Sequence, residues 1–346
     1  MAARIIIDGR PFEFFNNVSI DLKFGQSAST FQFSAYFDPD NSTHRRIFRP
    51  LSYQEVVIED ERGLTLLTGT ILNHNFERTS RPELSTLSGY SKTGVLSDCV
   101  IPKSQYPLEY NGLTYQELAE KLITPFDIEL EIQDFGVLAP TVIDAISASG
   151  TETVFGFLNN IAIQRNLVLT NTFRGNLLLT RANTNAAPIA TFRESLPVTR
   201  INLAVNGQNI HNPITALKQA DIERDDASEF LVENSLVRSF RPTLQNQTVG
   251  NDVTIEDVAR NIRSSELRNL KLIIETDRWA WLRNQTPETM QPGFIIAVIS
   301  PSNYIFELTR FFVESVQLNR DETTETAVLT CVLPQVYDNT DPANIF

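Results

Sequence analysis

The chain has 346 residues, 42% of them apolar and 21% charged, a balance typical of globular proteins and a length that favours two or three domains. Its formal net charge of −13 opposes a nucleic-acid-binding module that works by phosphate neutralisation, although a passage lined with such groups would let DNA slide without sticking. No apolar run approaches the roughly 18 residues of a membrane span, and the first fifteen residues lack the features of a signal peptide, so we expect a protein made and used without export.

The first hundred residues are predicted to form short strands separated by turns. Apolar and polar residues alternate, which is the period of a sheet with one buried face. The predicted strands span 18–24, 30–37, 55–59, 64–72 and 83–90. Gly69 lies inside the fourth strand and indicates a bulge or a bend. Strands at this spacing argue for a small antiparallel tube-like barrel over residues 1–98.

Lys92-Thr93-Gly94, which follows the last of these strands, has the sequence of the Lys-Thr-Gly motif of penicillin-recognising enzymes. Such an enzyme also needs a nucleophilic serine in Ser-x-x-Lys. No serine in the chain has a lysine three residues on, and Ser97-Asp98-Cys99 is not a Ser-Asp-Asn motif. We therefore interpret this stretch as the exit turn of the first barrel.

Residues 99–195 predict a compact α+β module. Thr114-Tyr115-Gln116-Glu117 is a capping box, and the helix that it starts is predicted to end at Thr124-Pro125. A strand is predicted over 125–132. A second helix begins near Thr151, and a hairpin with its turn at Arg174-Gly175 follows.

Residues 196–346 predict a second tube-like barrel with a partly helical insertion at about 208–268. The predicted elements are strands at 198–206, 271–276, 294–299, 311–318 and 326–333 and a helix at 254–270. The polar segment 218–229 contains the acidic residues Asp221, Glu223, Asp225 and Asp226, a pattern typical of a solvated surface, although such groups could also face a DNA passage. We expect the C-terminal segment 337–346 to be loose or bound to a partner.

The two ends of the chain share a weak repeat. The stretch LLTGTILNHNFERTSRPELSTLSGY, from Leu66, and the stretch FFVESVQLNRDETTETAVLTCVL, from Phe311, each read as an apolar strand, a polar hairpin and a returning strand. This pattern predicts that the first and last domains are copies of one barrel. The predicted fold class is thus mainly β with α+β insertions: two similar antiparallel tube-type β-barrels plus an α+β module.

Catalytic and metal-binding patterns are not evident in the sequence. Cys99 and Cys331 are far apart, which favours isolated thiols while leaving a disulfide open. His44, His74 and His211 show no spacing typical of a metal site or a Ser-His-Asp arrangement. We therefore expect no enzyme activity, no cofactor and no metal.

The order of elements resembles the baseplate hub proteins of contractile-tailed bacteriophages, the late control protein D family, which are related to the hub part of type VI secretion spike proteins. The segments that carry the resemblance are NGLTYQELAEKLITPFDIELEI from residue 111, SGTETVFGFLNNIAIQRNLVLTNTFRGNLLLTRA from residue 149 and SGYSKTGVLSDC from residue 88. FRPTLQNQT and PGFIIAVISP resemble the second-barrel region more loosely.

The resemblance implies a structural protein of the virion, made in the bacterial host cytoplasm and located in the tail baseplate. Three copies would form a pseudo-sixfold ring that joins the hexameric tail tube to a separate spike protein and leaves a channel through which DNA passes without specific binding. A trimer must duplicate its barrel to meet a sixfold partner. Baseplate wedge and tape measure proteins are further partners that the resemblance implies.

Four aromatic residues are candidate interface residues. Trp279 and Trp281 are either anchors at a protein interface or caps of the barrel's own core. Phe311 and Phe312 place one ring on each face of a strand, which fits one face in the barrel and the other against a neighbouring subunit, or a covering loop of the same chain. An alternative function, a carbohydrate-binding β-sandwich module of a tail fibre or surface protein, would use the two tryptophans.

Overall fold

The computed structural model describes residues 3–77, 84–133, 142–143, 146–218, 228–247, 254–283, 286–342 and 344–346. The predicted alternation in the first region is confirmed: Val18, Ile20 and Leu22 of one strand are buried. The elements of this region are β1 (Arg4–Ile7), β2 (Arg10–Phe12), β3 (Phe15–Lys23), β4 (Thr30–Tyr36), α1 (Ser42–Ile47), β5 (Glu55–Glu59), β6 (Thr65–Phe76), β7 (Leu84–Ser91) and α2 (Val95–Asp98).

The middle region packs two helices on a small sheet with the strand order β10-β14-β13. Its elements are β8 (Glu109–Tyr110), β9 (Leu113–Thr114), α3 (Tyr115–Ile123), β10 (Leu130–Gln133), β11 (Val142–Ile143), β12 (Ile146–Ser147), α4 (Val154–Gln164), β13 (Val168–Asn171) and β14 (Leu177–Thr180). The capping box at the start of α3 is confirmed, because the side chains of Thr114 and Glu117 each bond the other's backbone N–H.

The strand predicted over 125–132 is wrong in its first half. Thr124–Phe126 forms a 3-10 turn, and Asp127 adopts a left-handed conformation with φ 54°. Proline is well tolerated in the first positions of a helical turn, so Pro125 continues the turn and the chain reverses at Asp127 before β10 begins.

The last region supplies the remaining strands and helices of the described residues. They are β15 (Thr191–Phe192), β16 (Val198–Val205), β17 (Ile214–Lys218), β18 (Ser228–Val232), β19 (Thr243–Gln247), α5 (Ile255–Glu266), β20 (Leu270–Thr276), β21 (Ala280–Arg283), β22 (Thr286–Thr289), β23 (Ile295–Ser300), β24 (Ile305–Arg320), β25 (Glu325–Val332) and α6 (Gln335–Asp338). Between β16 and β20, a small sheet of β18-β17-β19 packs on α5. The acidic residues of segment 218–229 named above lie outside the described residues.

Strands from both ends of the chain form one large sheet. In the described part of the chain it has 13 strands, with the main order β16-β20-β25-β24-β3-β4-β7-β6-β5-β1-β2, and β23 pairs with β24 and β15. A continuous apolar core follows it and includes Ile5, Phe33, Leu272 and Leu329. The predicted fold class, mainly β with α+β additions, is confirmed.

The C-terminal segment was expected to be loose or bound to a partner, and the structure corrects this expectation. Tyr337 is buried, and the guanidinium of Arg263 donates to the backbone oxygens of Asn339 and Thr340 at 3.0 and 3.1 Å. It also pairs with the carboxylate of Asp341 at 2.6 Å. Burying the Arg263 guanidinium would be costly without hydrogen-bond acceptors, and the C-terminal segment supplies them. The segment is therefore held in place by its own chain.

Candidate assembly surface

Trp279 and Trp281 contribute to the chain's own packing. Trp279 is 5% exposed, and its indole N–H donates to the backbone oxygens of Asn319 and Thr326, both at 3.0 Å. The ring of Trp281 is half-buried, with its centroid 4.4 Å from that of Phe192. A carbohydrate-binding site would need exposed rings, so the placement of Trp279 removes the feature on which the alternative function depended.

Phe311 and Phe312 point to opposite faces of β24, as the sequence predicted, and both are fully buried. Phe311 lies in the main core. For the face of β24 that carries Phe312, the sequence predicts cover by a neighbouring subunit or by a loop of the same chain. The structure covers Phe312 with Phe24 and Tyr337 of the same chain, at centroid distances of 5.1 and 4.6 Å. Phe311 and Phe312 have no exposed surface and Trp279 is buried, so the interface assignment is corrected for these three residues.

The stretch around Lys92 forms a turn, as interpreted from the sequence. Lys92–Gly94 is a 3-10 turn that leads into α2. The ammonium of Lys92 pairs with the carboxylate of Glu55 at 2.6 Å, and its aliphatic stem lies against Gly175 in the hairpin turn of the middle region. The motif therefore joins the first region to the middle region.

The middle region also contacts the main sheet at the turn between β3 and β4. The hydroxyl of Thr170 accepts from the N–H of Gly25 at 3.1 Å. The side chain of Asn171 accepts from the hydroxyl of Ser29 at 3.0 Å and donates to the backbone oxygen of Gln26 at 3.2 Å. These polar contacts fix the module at one end of the sheet.

The two ends of the chain contain the same five-strand unit. The first unit has the strand order β3-β4-β7-β6-β5, and the second unit has the order β16-β20-β25-β24-β23. Their neighbouring strands are antiparallel throughout. The order of strands along the chain is also the same within each unit. The repeat that the sequence showed only in one hairpin therefore extends over the whole unit.

Irregularities of the strand register occur at matching places in both units. The pairing of the first two strands shifts between Phe15 and Asn17 in the first unit and between Val198 and Arg200 in the second. The hairpin β6-β7 shifts after Ile71, and the hairpin β24-β25 shifts after Val313. β-Bulges are conserved structural features and not defects, so two matching shifts fix a residue-by-residue correspondence between the units.

The two units are joined within the chain by pairing of β24 with β3. Six consecutive pairs run antiparallel from Ser315 opposite Lys23 to Arg320 opposite Val18. The N–H of Phe24 donates to the backbone oxygen of Glu314 at 2.9 Å, which extends the ladder by one bond. The junction thus uses the fourth strand of the second unit and the first strand of the first unit.

A buried carboxylate ties the same two regions together. Asp60 accepts hydrogen bonds from Arg62 at 2.7 Å and from the hydroxyl of Thr289 at 2.9 Å. Burial alone would raise the pKa of Asp60, but the bonds from Arg62, Leu64 and Thr289 together lower it. The carboxylate therefore stays ionised and holds β22 against the turn after β5.

The remaining features of the described residues concern metal ligands, thiols and apolar helices. Within the described ranges, no three His, Cys, Asp or Glu side chains are grouped so that they could hold a metal ion. Cys99 and Cys331 are free thiols, and burial raises the pKa of Cys331. Of the helices described, none is long and apolar enough to cross a membrane.

The fold is that of phage tail proteins. The 43 kDa tail protein of prophage MuSo2 from Shewanella oneidensis superposes with a TM-score of 0.80 and 18% identity, over 97% of this chain and 99% of that one. A tail protein from Neisseria meningitidis gives 0.78 and 19%, over 99% of both chains. An Escherichia coli component of the type VI secretion system gives 0.59 and 11%, over 99% of this chain and 80% of that one.

Residues 93–181 match the family model described as baseplate hub protein gp44-like, second domain. No curated protein matches the chain. The resemblance to baseplate hub proteins is confirmed over this matched range, and the fold of the whole chain is similar to that of phage tail proteins. The matched range contains α3, α4 and the hairpin β13-β14, which are the elements that carried the resemblance in the sequence.

Proposed function

We propose that this protein is the central hub of a phage baseplate, in which three copies form a ring around an open channel. The repeated five-strand unit carries this proposal. Three chains with two units each supply six similar units, so a ring with exact three-fold symmetry presents a pseudo-sixfold face. A hexameric tail tube can bind to such a face, and a three-fold spike can bind to the opposite one.

The charge of the chain suits passage of DNA through the ring. With a formal net charge of −13, the protein repels the phosphate backbone at long range, so DNA can move without being held. The spike, the wedge proteins and the tape measure protein are the further partners of this hub. No catalytic step forms part of the proposed function.

Sedimentation velocity over a concentration series tests the proposal, with the protein alone and with the separate spike protein added. The hub predicts a species of three times the chain mass that binds purified tail-tube protein. A protein that stays monomeric at every concentration, and also with the spike present, would contradict the proposal.

A further inference from the structure

We propose that β6 of one copy pairs with β16 of the next copy, in the antiparallel register that β24 and β3 show within the chain. The inference rests on the proposed ring and identifies the strands that close it. β24 is the fourth strand of the second unit and β3 is the first strand of the first unit. Closing the ring needs the same kind of junction between two copies. It would join the fourth strand of the first unit, β6, to the first strand of the second unit, β16.

The relevant side of β6 has an unpaired edge. β5 pairs with β6 from Thr65 to Thr70, and the N–H of Ile71 then donates to the backbone oxygen of Gln54 at 3.0 Å. Beyond this point no described strand pairs with residues 73–77 on that side. In the second unit, the N–H of Val313 donates to Phe294 at 2.8 Å in the same way, and β3 then occupies the edge of β24.

β16 also has an unpaired edge, since β20 is the one strand with which it pairs in the described part of the chain. The N–H of Asn206 donates to Asn269 on the β20 side at 2.9 Å, so the alternating residues Leu203 and Val205 point their backbone groups outward. The N–H of Leu203 donates a long hydrogen bond of 3.4 Å to the side-chain oxygen of Asn303. A backbone oxygen of a partner strand would replace this acceptor.

Apolar side chains are buried where β24 pairs with β3 and exposed at the equivalent unpaired edges of β6 and β16. Leu318 and Ile20, which face each other across the junction within the chain, are both 0% exposed. The correspondence places Phe76 at the position of Leu318, and Phe76 is 44% exposed. It places Val205 at the position of Leu22, and their exposures are 49% and 1%. Large apolar residues at unpaired strand edges are typical of surfaces that bind a further strand.

The correspondence also fixes the register of the intermolecular pair. The predicted opposite residues, within the described ranges, are Asn73 with Asn206, His74 with Val205, Asn75 with Ala204, Phe76 with Leu203 and Glu77 with Asn202. In this register Phe76 and Leu203 form an apolar pair, and none of the five pairs brings two like charges together. The side chains on the two strands can therefore pack against each other without repulsion. The occupant of each edge is therefore a second copy of this chain.

Cysteine cross-linking tests the register in a Cys99→Ser background. Asn75→Cys with Ala204→Cys places two exposed thiols opposite each other, at the Cα separation of about 4.5–5.5 Å that a disulfide accepts. Asn75→Cys with Arg200→Cys is the off-register control, since its thiols lie about 13 Å apart along the strand. Gln317→Cys with Asp21→Cys is the positive control, because these residues are paired within the chain.

The in-register pair is expected to convert most of the monomer into disulfide-linked dimer and trimer, with no larger species, while the off-register pair stays monomeric. If sedimentation shows a trimer but the in-register pair does not cross-link under conditions that oxidise the positive control, the strand pairing is wrong and the hub proposal stands. If no variant assembles or cross-links between chains, even with the spike protein present, both proposals fail.

A second variant tests the same edge without disulfides. Phe76→Asp is expected to abolish the trimer in sedimentation while leaving the circular dichroism spectrum of the monomer unchanged. Phe240→Asp is the matched control, because Phe240 is 81% exposed and lies in the insertion. A Phe76→Asp protein that still forms a trimer would overturn the pairing.

Discussion

Phe76 and Leu318 occupy the same position of a repeated five-strand unit, yet Phe76 is 44% exposed and Leu318 is fully buried. The difference arises because β3 of the same chain covers Leu318 and no described strand covers Phe76. The proposed pairing of β6 with β16 of a neighbouring copy would cover Phe76 as β3 covers Leu318.

Arg263 is expected to stabilise the C-terminal segment mainly through backbone acceptors. Arg263→Met leaves the oxygens of Glu233, Asn339 and Thr340 without this donor and should lower the free energy of unfolding by about 2–4 kcal/mol. Asp341→Asn should cost less than about 1 kcal/mol, since the side chain of Asp341 is 85% exposed. Urea unfolding measures both values, and equal losses would contradict this assignment.

Gly89 is expected to be required by the close approach of β6 and β7. A Cβ at this position would overlap the carbonyl oxygen of Thr70 and lie 2.8 Å from the ring of Phe31. Gly89→Ala should therefore destabilise the fold by about 1–3 kcal/mol. The control is Gly207→Ala, because a Cβ there has no atom within 4 Å. Similar thermal unfolding midpoints for both variants would show that the strands can separate at no cost.

Trp279 is expected to stabilise the end of the β24-β25 hairpin through its indole N–H. Trp279→Phe keeps an aromatic ring but leaves the oxygens of Asn319 and Thr326 without their donor, at a cost of about 1–3 kcal/mol. Trp281→Phe should change the free energy of unfolding less, because Trp281 is half-buried and packs through its ring. A larger loss for Trp281→Phe in urea unfolding would reverse this ranking.

Asp321 is expected to make the same hairpin sensitive to acid. The backbone N–H of Thr323 and the hydroxyl and N–H of Thr324 bond its carboxylate and lower its pKa from 3.8 to about 2. Because the folded-state pKa is depressed, the stabilisation is present above about pH 4 and is lost as the pH falls toward 2. The unfolding midpoint of Asp321→Asn should depend less on pH in this window than that of the wild type. Equal pH dependence would contradict the prediction.

Local sequence patterns predicted many elements closely. Alternation placed β4 and β5 within one residue of their observed ends, and the helix predicted from residue 254 begins there, with Thr254 as the capping residue of α5. The 3-10 turn at Thr124–Phe126 was missed because an alternating pattern follows directly after it. Periodicity describes each strand by itself, so it could not show that β24 pairs with β3 across some 300 residues of chain.

The candidate site was harder to predict, because burial does not say which chain provides the cover. Alternation in β24 showed that Phe312 needs a covering partner, but the partners are Phe24 and Tyr337 of the same chain. The full repeat is hard to see in the sequence because residues at equivalent positions of the two units differ. For example, Gly89, which pairs with Ile71, is equivalent to Cys331, which pairs with Val313. The matching register shifts that reveal it are properties of the backbone, which the sequence pattern does not show.

Electron cryomicroscopy of the largest assembled species would show directly whether copies of this chain form the proposed ring. We predict a ring with an open centre and exact three-fold symmetry, in which six similar units alternate and β6 of each copy lies beside β16 of the next. A closed dimer with two-fold symmetry, or a ring in which the edges of β6 and β16 both face solvent, would contradict it.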